Sequence, residues 1–156
     1  MAEKMTIEKA RDFMMGQGFH CSQCVLSHTA EMVGLDRDLA LKLSAGLGGG
    51  CFHGDTCGAV SAAVITLDMV YGFNKPNSGE QNTKMVEKIA EFEKRFIEKH
   101  GSLLCRELLG GHDFSQPGES EKIMAGGATG ILKNCPTYCT TVCDILDDML
   151  KDVKKA

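Results

Sequence analysis

The chain has 156 residues, a usual length for one domain, and its 43% hydrophobic and 24% charged content excludes a largely disordered protein. No apolar run approaches the roughly 20 residues that cross a bilayer, so we expect no membrane span. Lys and Arg number 17 against 21 Asp and Glu, a net charge of −4 that disfavours nucleic-acid binding. The unusual counts are eight Cys and 18 Gly.

The N-terminal segment MAEKMTIEKARDFMM lacks the apolar stretch of a secretory signal. We therefore expect a cytoplasmic protein, in which thiols are kept reduced. In a reducing compartment, eight cysteines indicate metal or redox chemistry before structural disulfides.

The spacing of apolar residues in the first part of the chain predicts three helices. Thr6 caps the first, which ends by Gly16. The second covers about 21–33, and Gly34 is suited to follow its last turn. Asp36 caps the third, whose apolar residues at helical spacing are Leu39, Ala40, Leu43 and Leu47.

Glycines at 48–50 break the pattern, and a loop leads to the segment CGAVSAAVITLDMVY at 57–71. Its small residues let another backbone approach closely, so we predict a buried central helix there. A β-strand over 60–70 is the alternative, which the length of the segment and its alanines disfavour.

The clearest amphipathic pattern lies at 82–100, with Met85, Ile89, Phe92 and Phe96 on one stripe. That stripe could belong to the core or pack a partner subunit in a homodimer.

Shorter helical segments are predicted at about 103–109 and 119–125, on either side of a glycine-containing loop. The last helix begins near Cys135-Pro136, with proline in its first turn, and runs to Val153. The predicted fold is therefore all-α: residues 1–156 form one domain, a bundle of about six helices with two Gly-rich irregular loops.

The cysteines fall into four groups: Cys21 with Cys24, Cys51 with Cys57, Cys105 alone, and Cys135 with Cys139 and Cys143. Residues three or four apart share a helix face, so such pairs can bind one metal or cluster. Cys57 is expected in the first turn of a helix, where free N–H groups and the helix dipole stabilise a thiolate. The alternative for any single cysteine is a small buried hydrophobe.

Three histidines accompany these cysteines. His20 adjoins Cys21, and its charged form could lower the pKa of that thiol. His53 lies in the Gly-rich loop, where it could ligate a metal or simply contact solvent. His28 follows Cys24 by four residues and is a further candidate ligand.

Five motifs occur in one order along the chain: Cys21-Ser22-Gln23, Gly48-Gly49-Gly50, Thr56-Cys57-Gly58-Ala59, Cys105-Arg106-Glu107-Leu108-Leu109-Gly110, and Cys135-Pro136. Together they resemble a family described as redox-active and named for its C…CGAxxG…C…C cysteine pattern, over about 18–150. The resemblance implies a small helical protein with signature cysteines at Cys21, Cys57, Cys105 and Cys135. A related domain occurs in a cytochrome that carries an iron–sulfur centre. The last glycine of the motif is Ala62 here.

The leading hypothesis is an iron–sulfur protein that passes electrons to a redox partner protein and need not turn over a substrate itself. The expected metal ligands are Cys21, Cys57, Cys105 and Cys135, and the expected supporting cofactor-binding residues are Cys24, Cys51, Cys139 and Cys143.

Two alternatives remain open. The first is a cofactor-free thiol/disulfide oxidoreductase in which Cys57 is the catalytic thiolate and Cys51 or Cys21 resolves it. The second is a non-enzymatic zinc- or copper-binding protein.

Overall fold

Eight α-helices make up most of the computed structural model, which describes residues 3–153, and no β-strand occurs among those residues. The predicted all-α class is confirmed. Over those residues the structure has eight helices and not about six, because Cys105–Leu108 and Glu119–Met124 are separate short helices. In chain order the helices are α1 (Ile7–Arg11), α2 (Cys21–Thr29), α3 (Arg37–Ser44), α4 (Gly58–Tyr71), α5 (Gly79–His100), α6 (Cys105–Leu108), α7 (Glu119–Met124) and α8 (Cys135–Leu150).

The predicted caps lie at the ends of the first three helices. The Thr6 hydroxyl accepts a hydrogen bond from the Lys9 N–H at 3.2 Å, and the Asp36 carboxylate accepts one from the Leu39 N–H at 2.9 Å. Gly34 has a φ of 72°, a left-handed conformation that glycine adopts without strain. Local sequence therefore sets these boundaries.

The core forms where α2 and α4 pack against each other and against α8. The small residues of α4 allow the close approach expected of a central helix, and the strand alternative for this segment is wrong. Ala62, which stands where the family pattern has glycine, is fully buried, so the core accommodates its methyl group. The Thr29 and Thr66 hydroxyls join α2 to α4 by a buried hydrogen bond of 2.8 Å.

The phenylalanines of the α5 stripe take one of their two predicted places, the core, whereas the apolar stripe of α3 is partly exposed. Phe92 and Phe96 on α5 are completely buried within the chain, so they are not available to a partner subunit. On α3, Leu39 and Leu43 are exposed, whereas Ala40 is buried. The reason is close packing of α3 on α2 through small residues, among them Ser44, whose carbonyl accepts a hydrogen bond from the Ser22 hydroxyl at 2.6 Å.

Within residues 3–153, no helix combines the length and the apolar composition that a bilayer crossing requires. The prediction for the end of the last helix is slightly long, because α8 ends at Leu150 and Val153 follows it in a turn.

Candidate functional site

One cavity, of about 280 Å³, lies where the start of α2, the loop before α4, α6 and the start of α8 meet. Four of the eight cysteines line it: Cys21, Cys57, Cys105 and Cys135. Most of the other lining residues are apolar, and they include Met14, Phe19, Phe52, Leu108, Phe114 and Tyr138. The fold thus gathers the signature cysteines from four separate segments into one apolar space, which we call the cysteine cavity.

Each of these cysteines lies at the start of a helix. Cys21 and Cys135 are the first residues of α2 and α8, Cys57 immediately precedes α4, and Cys105 begins the short α6. The first N–H groups of a helix have no partner within the helix, and the helix dipole is positive at that end. The longer helices α2, α4 and α8 therefore direct positive potential at the sulfur atoms.

An isolated antiparallel bridge places Cys57 beside Cys105. The Cys57 N–H donates to the Leu103 carbonyl at 2.7 Å, and the Cys105 N–H donates to the Asp55 carbonyl at 2.7 Å. The Arg106 guanidinium adds an exposed ion pair to Asp55 at 3.2 Å. Two cysteines that are distant in sequence thereby enter the cavity from neighbouring backbone segments.

Cys21 is the cysteine best suited to be a thiolate. The Cys57 thiol donates a hydrogen bond to its sulfur, and this contact is the main reason that the pKa of Cys21 falls from 9.0 to about 7. Burial acts in the opposite direction, while the N–H groups of Gly49, Ser22 and Ala59 lower the pKa further. Of the four cavity cysteines, Cys21 is therefore the one that ionises at the lowest pH.

The other three cavity cysteines hold their protons. Donation to Cys21 and burial raise the pKa of Cys57 well above 9.0. Burial raises the pKa of Cys105 to about 12 and raises that of Cys135 too, and in both cases the Cys21 charge adds to the effect. Of the hydrogen-bonded pair, Cys21 therefore has the lower pKa, whereas the sequence pointed to Cys57; the role of Cys57 as the catalytic thiolate stays a prediction.

Two of the motif glycines occupy positions where a Cβ would come too close to neighbouring atoms. A Cβ at Gly58 would lie 2.8 Å from the Cys21 sulfur and 2.8 Å from the Leu47 carbonyl oxygen. Gly49 has a φ of +62°, and a Cβ there would lie 2.8 Å from the Phe114 ring. Glycine at these positions lets the backbone approach both the sulfur and the aromatic wall.

The remaining four cysteines do not line the cavity. Cys24, Cys139 and Cys143 are buried in the core between α2 and α8, where the Cys24 and Cys139 thiols form a hydrogen bond. The Cys139 sulfur also lies 3.8 Å from that of Met14. Cys51 is exposed on the loop. The structure thus brings together the four signature cysteines and leaves the four expected supporting residues elsewhere.

The cavity cysteines line one space, but they do not form a compact site for a single metal ion. Across residues 3–153, no three His, Cys, Asp or Glu side chains are close enough to hold one metal ion. His20 lines the cavity, and its Nδ1 lies 2.8 Å from the Ala45 carbonyl oxygen. His53 is exposed and does not line the cavity, while His28 is partly buried at the α2 face toward Asp147.

Sequence reasoning missed the aromatic and thioether wall of the cavity. Phe52 and Phe114 each lie in a loop, whereas Tyr138 lies on α8 and Met14 lies in the π-helical segment that follows α1. The available signal was the presence of an aromatic residue inside each glycine-containing loop, where a solvent-exposed connection would favour polar residues.

Comparison with protein families gives one match. The family model described as "Putative redox-active protein (C_GCAxxG_C_C)" matches residues 19–149, a stretch that contains all four cavity cysteines. The description spells Gly-Cys-Ala, whereas this chain reads Cys57-Gly58-Ala59. No curated protein and no solved structure gives a significant match.

Proposed function

The chain belongs to the C_GCAxxG_C_C redox-active family, and from that premise we propose that it is an electron-transfer protein whose cavity cysteines hold an iron–sulfur cluster. The observation that carries the proposal is the convergence of Cys21, Cys57, Cys105 and Cys135 on one apolar cavity. Family membership supports the redox role, and the cavity supports the kind of cofactor.

The donor set fits such a cluster. Cysteine thiolates are the usual ligands of iron–sulfur clusters, and the cavity offers four of them. The cysteines surround a volume of about 280 Å³ instead of meeting at one point, which suits a polynuclear group better than a single ion. N–H groups directed at the Cys21 sulfur, such as those of Gly49 and Ala59, are of the kind that tune a cluster's potential.

The protein residues supply ligation and surroundings. Cys21 offers a ready thiolate, while the thiols of Cys57, Cys105 and Cys135 must lose their protons on ligation, so binding releases protons. The helix starts offset part of the resulting negative charge. The apolar wall excludes water and lowers the local dielectric, which strengthens those interactions. A bound cluster would supply one-electron chemistry, and exposure and hydrogen bonding to sulfur would set its potential.

The first experiment is iron and sulfide analysis, with a visible spectrum, of protein purified without oxygen. We expect iron and sulfide in near-equal amounts and a brown colour. Serine at Cys21, Cys57, Cys105 or Cys135 should remove most of the iron, whereas Cys51→Ser, at an exposed cysteine outside the cavity, should not. Colourless protein without iron and sulfide would contradict the proposal, as would equal iron in Cys21→Ser and Cys51→Ser. Zinc or copper in place of iron would favour the metal-binding alternative.

A second candidate function rests on the hydrogen bond between Cys57 and Cys21. In a cofactor-free dithiol mechanism, the Cys21 thiolate attacks one sulfur of a small disulfide and releases the first thiol. Cys57 then loses its proton and attacks the Cys21 sulfur, which releases the second thiol and leaves a Cys21–Cys57 disulfide. Two electrons pass from the protein to the disulfide, and the roles of the two cysteines are reversed relative to the sequence-based expectation.

The second candidate predicts a pH profile for metal-free protein. The rate of Cys21 alkylation should have its midpoint near pH 7 and fall about tenfold per pH unit below it, because the thiolate is the nucleophile. Oxidation by a small disulfide should yield a Cys21–Cys57 cross-link detectable by peptide mapping. A midpoint near pH 9, or no such cross-link, would contradict this candidate.

A further inference from the structure

Phe52 lies between the cysteine cavity and solvent. Its side chain lines the cavity together with Cys21, Cys57 and Cys105, yet the residue is 42% exposed. Its ring packs edge-on against His20, with centroids 5.3 Å apart, and against Phe114 at 5.9 Å. Phe52 therefore borders both the cavity that the thiols line and the solvent.

The backbone beneath Phe52 is strained. Cys51 and Phe52 have φ values of 57° and 58°, in the left-handed region that non-glycine residues rarely adopt. In that conformation the Cβ of a non-glycine residue comes too close to the following carbonyl oxygen. Gly50, with a φ of 62°, precedes them, and its carbonyl accepts a hydrogen bond from the Asp55 N–H at 3.3 Å that closes the turn.

This strain and the aromatic contacts act on the same ring. Relaxation of Phe52 to right-handed φ values would redirect its Cα–Cβ bond and move the ring away from His20 and Phe114. The edge-on contacts with those two rings oppose this relaxation. The position of the Phe52 ring therefore depends on two opposing effects, the backbone strain and the aromatic contacts.

We propose that Phe52 controls access to the cysteine cavity: its ring excludes bulky reagents from the thiols and admits small ones. The proposal rests on the cavity of the proposed function, but it holds whether the thiols carry a cluster or act as a dithiol. Molecules smaller than an aromatic ring then reach the sulfurs directly. Larger redox partners would then exchange electrons from outside the closed ring.

The test compares two thiol reagents on the protein as purified, one bulky (an aromatic disulfide) and one small (iodoacetamide), with Cys21 modification measured by peptide mass spectrometry. Phe52→Ala should accelerate labelling by the bulky reagent about tenfold or more, and labelling by the small one by much less. Phe73→Ala is the matched control, because Phe73 is a 48% exposed phenylalanine that does not line the cavity. It should leave both rates unchanged.

Phe52→Gly separates gating from loss of structure. Glycine tolerates the left-handed φ, so this variant should unfold at the same urea concentration as the unmodified protein or a higher one, and still label rapidly with the bulky reagent. Unchanged labelling in Phe52→Ala and Phe52→Gly would overturn the proposal. Equal acceleration of both reagents would overturn it as well. In iron-loaded protein, the rate at which a bulky chelator removes the iron should rise in the same two variants. Iron analysis reports whether a cluster is present, and the labelling rates report access to Cys21, so failure of one proposal is distinguishable from failure of the other.

Discussion

Single residues set the charge of the cysteine cavity. The Cys57 thiol donates a hydrogen bond to Cys21, which lowers the pKa of Cys21 and raises that of Cys57. Cys105 and Cys135 are neutral thiols for a different reason, which is burial in apolar surroundings. The four cavity cysteines thus have three different electrostatic environments.

Outside the cavity, His28 makes stability depend on pH. Its Nε2 is buried and forms no hydrogen bond within the described residues, and burial lowers its pKa below 6.5 against the opposing charge of Asp147. The unfolded chain therefore binds a proton more readily than the folded one. Stability from this residue is complete above pH 6.5 and declines as the pH falls from there toward the folded pKa.

We expect His28→Leu to reduce the loss of stability between pH 7.5 and pH 5, because leucine has no proton to gain. Urea unfolding at the two pH values measures it. An identical loss of stability in unmodified protein and His28→Leu would refute this role for His28.

At the scale of elements, the site is a meeting of helix starts. The first turns of α2 and α4 contact each other through Gly58, which leaves the Cys21 sulfur the space it occupies. The bridge between the loop before α4 and the residue before α6 then adds Cys105. The position of the sulfur atoms therefore depends on how closely these segments approach.

Gly58→Ala should cost about 1–3 kcal/mol of unfolding free energy, because its Cβ would overlap the Cys21 sulfur and the Leu47 carbonyl oxygen. It should also change the rate of Cys21 alkylation. Gly46→Ala, where a Cβ meets nothing within 4 Å, is expected to stay within about 1 kcal/mol of the unmodified protein. Urea unfolding compares the two. Equal stability of both variants would show that the close approach at Gly58 is unimportant.

For the whole molecule, the buried aromatic residues of α5 contribute to the core that supports the site. Phe96 contacts Phe92 on its own helix and Tyr138 on α8, and Tyr138 in turn lines the cavity and donates its hydroxyl proton to the Leu108 carbonyl at 3.0 Å. The packing around Phe96 is therefore continuous with the wall of the cysteine cavity.

Phe96→Ala should lower the unfolding free energy by about 3–5 kcal/mol, since Phe96 has no exposed surface. Phe73→Ala should change it by no more than about 0.5 kcal/mol, because that residue is exposed. Thermal or urea unfolding followed by circular dichroism gives both values. If the two variants were equally stable, the assignment of Phe96 to the core would be incorrect.

Local sequence determined the helix class and most helix boundaries, and the order of the motifs, through the family resemblance, identified the signature cysteines. Caps such as Thr6 and Asp36, and glycines such as Gly34, act within one turn, so their effect is readable without the fold. The burial of α4 was readable too, because small residues in a helix indicate close packing. These features depend on residues that are neighbours along the chain.

Tertiary structure alone decided which cysteines share the cavity and which of them holds the charge. Cys21 and Cys24 are three residues apart, yet Cys21 lines the cavity and Cys24 meets Cys139 in the core. The helix start favoured a thiolate at Cys57, but the hydrogen bond to Cys21 from another helix reversed that order. The physical reason is that burial and hydrogen bonds to sulfur come from segments far apart in sequence, and no local pattern encodes their approach.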